Sequence, residues 1–241
     1  MKLREVYEFL NEISPFEIQE SWDNSGLQVG SLNDDIERVY LSLDVDSSLL
    51  KEVRENSLII THHPLIFKGL KSLDANFFPS SLIKKMIKKD ISLISMHTNF
   101  DKTHLNSYVA KNVLGFRDAS CCEDFICYFD LNMSFDELCL HVKNSLKIEN
   151  LRVSGNNKEI KRCALTTGSG GDLIGLIKAD CFMSGDFKYH QAVEASENGL
   201  NLIDIGHYES ESFFGECLNE NLKNLPLKVI MSNSKNPFSY K

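Results

Sequence analysis

Three short stretches hold the residue types that bind metal ions. Leu58-Ile-Ile-Thr runs into His62-His63-Pro64, Ile91-Ser-Leu-Ile-Ser-Met runs into His97-Thr-Asn-Phe-Asp101, and Leu202-Ile-Asp-Ile runs into Gly206-His207-Tyr-Glu-Ser-Glu211. Each apolar run reads as a strand, and in α/β sheets ligands collect outside the carboxyl ends of strands. Each cluster also has a plainer reading. Adjacent histidines on a strand point to opposite faces. Asp101 could cap a following helix. His207 and Glu211, four apart, share a helical face and could be a surface pair. The three clusters together favour metal, held by His62, His63, Asp101, His207 and Glu211. Imidazole and carboxylate without thiolate admit zinc, iron, manganese or magnesium. Five ligands exceed what one open zinc site needs. They suit two divalent ions per chain with shared carboxylates, about 3.5–4 Å apart, able to acidify a water between them.

His97 and His190 are the candidate catalytic groups. His97 precedes Asp101 by four residues, close enough to back a ligand or to shuttle protons; its plainer role is a structural hydrogen bond. Asp186 and His190 lie four apart at a helix start, where they could orient substrate or water, or act as a capping Asp and a partly buried His. Gly168-Ser-Gly-Gly171 opens a helix, so its amides could hold phosphate oxygens, although a plain tight turn is the simpler reading. Trp22, the only tryptophan, is read as a core or interface residue rather than a base-stacking platform.

These groups must be positioned by alternating strands and helices. Strands are predicted at 39–43, 58–61 and 91–96, with helices at 47–56, 79–89 and 107–114. The lysines of 79–89 read as a solvated face. Ser134-Phe-Asp-Glu137 has the spacing of a capping box. Short strands at 151–154 and 163–166 flank a turn at Gly155-Asn156-Asn157. Strands at 179–183, 200–205 and 228–231 then alternate with helices opening at 168, 189 and 211. The expectation is an α/β fold of two interleaved lobes, residues 1–125 and 126–241, with a dinuclear metal site in the cleft between them.

Composition removes several functional classes. The 241 residues carry a formal net charge of −8, with 34 acidic against 26 basic side chains, which argues against a duplex-binding surface and leaves nucleic acid an unfavoured partner. No apolar run is long enough to span a bilayer. The charged, amphipathic segment Met1–Ile13 lacks the apolar core of a secretion signal. Seven cysteines without a CxxC pair indicate neither a disulfide framework nor a zinc ribbon. Reduced core thiols and a cytoplasmic location fit best.

The motifs Trp22-Asp-Asn-Ser-Gly-Leu-Gln-Val-Gly30, Thr61-His-His-Pro-Leu-Ile-Phe67, His97-Thr-Asn-Phe-Asp101, Ser184-Gly-Asp-Phe-Lys-Tyr-His190 and Gly206-His-Tyr-Glu-Ser-Glu211 occur in this order. Over nearly the whole chain the sequence resembles the Nif-three-like dinuclear-metal proteins, the GTP cyclohydrolase I type 2 homologs. The resemblance implies that His62 and His63 each hold one ion, that His207 joins them, and that Asp101 and Glu211 add carboxylates, at least one of them bridging. It further implies a homo-oligomer, a toroidal hexamer with metal sites facing an internal cavity. The expected function is metal-dependent hydrolysis of a nucleotide. GTP cyclohydrolase chemistry would convert GTP and water to formate and 7,8-dihydroneopterin triphosphate. The alternatives are a metal-dependent nucleotide phosphoesterase and a non-enzymatic metal-binding or metal-delivery protein.

Overall fold

The computed structural model describes residues 1–121, 125–155, 159–223 and 225–239. The fold is mixed α/β with two sheets. Helix α1 (Leu3–Ile13) opens the chain, burying Leu3, Val6 and Leu10 at the spacing of one helical face. Then come β1 (Gly26–Val29), β2 (Arg38–Ser42), the turn α2 (Leu49–Glu52), β3 (Ser57–Thr61), α3 (Ser80–Lys88), β4 (Ser92–Ser95) and the turn α4 (Thr98–Phe100). Two π-helical segments, Asp101–Leu105 and Val109–Val113, bracket the turn α5 (Asn106–Tyr108). Strands β5 (Ser120–Cys121) and β6 (Cys127–Ser134) lead to α6 (Phe135–Leu146), β7 (Arg152–Ser154) and β8 (Glu159–Leu165). After a 3-10 segment at Gly171–Leu176 follow β9 (Cys181–Ser184), α7 (Tyr189–Glu197), β10 (Asn201–Asp204), α8 (His207–Glu211), α9 (Phe214–Leu222) and β11 (Lys228–Met231).

The chain forms two compact units, Met1–Phe100 with Phe214–Lys241, and Asp101–Phe213. The division expected near residue 125 therefore falls elsewhere. Strand β11 pairs in parallel with β2, Val229 against Val39 and Ile230 against Tyr40, which returns the last segment to the first unit. Periodicity identifies β11 as a strand but carries no information on which sheet it joins.

The first unit's sheet has the order β1-β4-β3-β2-β11, parallel except for β1 at its edge. All five residues of β3 are buried, as an unbroken Leu-Ile-Ile run requires of a parallel strand covered on both faces. Tyr40, Leu49, Val53, Ile59, Ile83, Met86 and Leu93 belong to its core. The register sets Ser42, Thr61 and Ser95 in one row. Past that row Met96 N donates to Thr61 O at 2.8 Å and His63 N to Leu43 O at 3.0 Å. The residues after β2, β3 and β4 thus leave the carboxyl edge side by side.

The second unit's sheet has the order β5-β6-β8-β9-β10-β7, with β8, β9 and β10 parallel. Its core includes Ile126, Ala164, Phe182, Phe187 and Leu202. Helix α6 starts on the predicted capping box: Glu137 N donates to Ser134 Oγ at 3.3 Å and Ser134 N to Glu137 Oε2 at 2.8 Å, satisfying two amides at the helix start.

Several local expectations are corrected. The helix expected over 47–56 is only α2, started by Asp46 Oδ1 accepting from Leu49 N at 2.7 Å. The one expected over 107–114 is α5 with π-helical segments on either side. The helix expected to run from Glu211 is two pieces, α8 and α9. No helix opens at Gly168, since helical bonding begins at Gly171. The expected turn at Gly155 continues into Asn156 and Asn157, which lie outside the described residues. Cys127 is disulfide-bonded, against the expectation of reduced thiols throughout, while Cys139, Cys163, Cys181 and Cys217 are free. Among the described residues no helix is long and apolar enough to cross a membrane.

Candidate metal centre

In the first unit, β3 and β4 deliver three imidazoles to one place. Ring centroids lie 5.1 Å apart for His62 and His63, 5.1 Å for His62 and His97, and 5.7 Å for His63 and His97. Each offers a ring nitrogen within 4.8 Å of the others. Their second nitrogens are turned to oxygen. His62 Nδ1 is 2.9 Å from Met96 O, His63 Nδ1 is 2.9 Å from Asp44 Oδ1, and His97 Nδ1 is 2.7 Å from Asp23 Oδ1. A carbonyl oxygen and an ionised carboxylate only accept, so each Nδ1 carries a proton and Nε2 is the nitrogen left to meet a metal. Proteins commonly hold a metal-binding imidazole in this way.

Asp23 is the best-anchored of these supports. Besides His97 it accepts from Asn24 N, Ser25 Oγ, Thr98 N and Thr98 Oγ1. Burial alone would push its carboxyl up. The His97 hydrogen bond and charge, with the Thr98 and Asn24 donors, outweigh burial and hold it well below the usual carboxylate range.

In the second unit, the ends of β8, β9 and β10 meet. Gly185 N donates to Gly168 O at 2.6 Å, Ile205 N to Ser184 O at 2.9 Å and Thr166 N to Met183 O at 3.0 Å. Helix α8 then sets His207 and Glu211 on one face, as their spacing predicts. His207 Nδ1 lies 2.7 Å from Asp186 Oδ2, and Nε2 lies 3.0 Å from Glu211 Oε2. Glu211 is 3% exposed. An imidazole between two carboxylates needs a shared proton or a cation between Nε2 and Oε2, and a divalent ion there would meet both groups. Asp101, 7% exposed, is the first residue of a π-helical segment rather than a helix cap, and it accepts from Thr167 Oγ1 at 3.3 Å. Single π turns inside helices are frequent at functional sites. These donor sets fit divalent metal: imidazoles oriented through their Nδ1 hydrogen bonds, and buried carboxylates.

Comparison with known proteins identifies the family. The profile described as Duf34/NIF3 (NGG1p interacting factor 3) matches residues 1–237. The chain belongs to the Duf34/NIF3 family. A Campylobacter jejuni protein named GTP cyclohydrolase 1 type 2 homolog is 58% identical over all of both chains. A Helicobacter pylori protein named GTP cyclohydrolase 1 type 2 is 43% identical over 98% of this chain and 97% of its own. Among solved structures, a Staphylococcus aureus protein is 28% identical with a TM-score of 0.89, covering 100% of this chain and 99% of that one.

For this Duf34/NIF3 chain, the structure groups His97 with His62 and His63 and pairs His207 with Glu211. His190 stands apart from these contacts, exposed at the start of α7 with its ring 5.3 Å from Tyr189. Asp186, read from sequence as a partner of His190 or a cap, instead backs His207. The Gly-rich turn is committed internally. Gly168 N donates to Ser210 Oγ at 3.0 Å and Gly170 N to Ser184 Oγ at 2.8 Å, which takes two of its amides away from any phosphate. Asp44 and Asp23, which support His63 and His97, escaped the sequence reading. Asp44 carried a usable signal: like Asp186, it lies two residues past a strand end.

The depressed Asp23 carboxyl has a stability consequence. Its contribution is complete above the unfolded value, near ~3.9, and is lost as pH falls through the lower folded value. Thermal unfolding followed by circular dichroism is expected to show Asp23→Asn melting below the parent at pH 7, with the gap narrowing as pH drops below ~3.9. A gap that widens on acidification would contradict the assignment.

Proposed function

We propose that this chain is a dinuclear metal-dependent hydrolase acting on a nucleotide, and that the nucleotide is GTP. His62, His63, Asp101, His207 and Glu211 would together hold two divalent ions. The observation that carries the metal part is that His62, His63 and His207 each turn Nδ1 to an oxygen acceptor, leaving Nε2 as the nitrogen for a metal. The nucleotide part rests on the names borne by the relatives from Campylobacter and Helicobacter. The same reading carries a homohexamer.

When bound, two divalent ions would supply Lewis acidity and a nucleophile at neutral pH. The protein's own groups do the rest. His97 moves a proton at Nε2, and Asp23 stabilises the imidazolium that results. Asp44 and Asp186 hold His63 and His207 in orientation. Water adds at C8 of the guanine and opens the imidazole ring of the base to a formamide. A second water cleaves the formamide and releases formate, and after rearrangement of the ribose the ring closes with loss of one water to give dihydroneopterin triphosphate.

Product analysis tests the reading. Metal-loaded protein incubated with GTP is expected to release formate and a pterin triphosphate, without free phosphate. Phosphate without formate would point to a phosphoesterase. Stoichiometric metal binding with no turnover of any nucleotide would point to a metal-delivery role.

A further inference from the structure

Trp22, expected in the core or an interface, is 57% exposed. The core reading is therefore wrong, and the position of the ring suggests a use. Trp22 lies with its centroid 5.9 Å from that of Phe67, itself 42% exposed, and both rings stand 6.2 Å from His97. The Trp22 and Phe67 planes are splayed by 53°, so the two rings do not use up one another's faces. Two exposed aromatic rings thus rim the imidazole cluster.

This rim is rigidly built. Next to Trp22, Asp23 turns inward to His97, Thr98 and Ser25. Asn24 Nδ2 donates to Ile66 O at 2.5 Å, and Ile66 N donates to Gln28 Oε1 at 2.7 Å. The segment carrying Phe67 is thereby tied to the segment carrying Trp22. Ordering exposed aromatic rings against a polar site without covering them makes a preformed face for a planar ligand. Flat heteroaromatic rings stack on such faces whatever their edge pattern, because each has a π-face.

We propose that Trp22 and Phe67 are the stacking platform for the purine base of the substrate, holding it beside the His62–His63–His97 cluster. This rests on the nucleotide reading above and adds the place where the base is bound. The platform is a binding subsite and moves no proton.

Trp22 is the single tryptophan, so intrinsic fluorescence reports on it alone. Titrating the full chain with guanosine or GTP is expected to quench that emission saturably, while ribose 5-phosphate leaves it unchanged. By calorimetry Trp22→Ala is expected to weaken GTP binding about ten- to a hundredfold. Trp22→Phe, which keeps a π-face, should recover most of the loss. Light scattering should give the same mass for parent and variants. GTP binding with unaltered fluorescence, or with parent affinity in Trp22→Ala, overturns the platform and leaves the nucleotide reading standing. Quenching by guanosine without GTP turnover keeps the platform and removes the hydrolase. A fall in mass on Trp22→Ala makes this face a subunit contact and overturns the proposal.

Discussion

His97→Gln is expected to lower GTP turnover by about 100- to 10,000-fold, the usual contribution of a positioned acid–base group, with metal content and oligomer size nearly unchanged. The structural reason is the pair formed with Asp23. His97 Nδ1 lies 2.7 Å from Asp23 Oδ1, and a glutamine amide can donate to the same carboxylate, so the local hydrogen bonding survives. What is lost is a ring nitrogen able to accept and return a proton. Steady-state formate release and metal analysis on the same preparation read both quantities. Loss of metal in His97→Gln would make His97 a ligand, which its closeness to His62 and His63 would then explain. Turnover at the parent rate would make His97 structural.

Gly168→Ala is expected to disturb the His207–Glu211 pair of the second unit. Gly168 has φ +63°, and a Cβ there would lie 2.0 Å from Glu211 Oε1 and 3.0 Å from Cδ. A non-glycine residue held in the left-handed region costs about 1–3 kcal/mol. In a chain of this size each kcal/mol lowers Tm by roughly 2–4 °C. The carboxylate must also move, and with it the oxygen that faces His207 Nε2. We therefore expect a Tm lower by several degrees, about 2–12 °C on those figures, together with reduced metal content. Gly175→Ala is the control, because a Cβ there has nothing within 4 Å. Calorimetry and metal analysis that return parent values for Gly168→Ala would show that Glu211 does not need the close approach.

Part of this architecture could be read from the sequence for identifiable reasons. Buried parallel strands are written as apolar runs, so β3, β4 and β10 and the histidines and carboxylates beyond them stood out. Local spacing also identified the capping box at Ser134 and the shared face of His207 and Glu211. The missing information was non-local. Nothing near Lys228–Met231 says that this strand returns to β2. Nor does anything near His63 say that Asp44, nineteen positions earlier, will hold its Nδ1. Asp186 and His190 lie four apart at a helix start and so look like partners in sequence, whereas the fold gives the Asp186 carboxylate to His207, which follows the next strand. Exposure was equally hidden, since a lone tryptophan in a polar segment gives no periodic signal. In sequence the Gly168 turn leaves a phosphate cradle open beside the simpler tight turn, because its amides are uncommitted there; only the fold shows Ser184 and Ser210 accepting from two of them.

The central claim is that oriented imidazoles and buried carboxylates hold two divalent ions in each chain. Mass spectrometry of metals in purified, metal-reconstituted protein tests it most directly. The parent is expected to retain about two ions per chain, His63→Ala to lose mainly one, and His63→Ala combined with Glu211→Ala to lose nearly all. Full metal retention by that double variant would contradict the account.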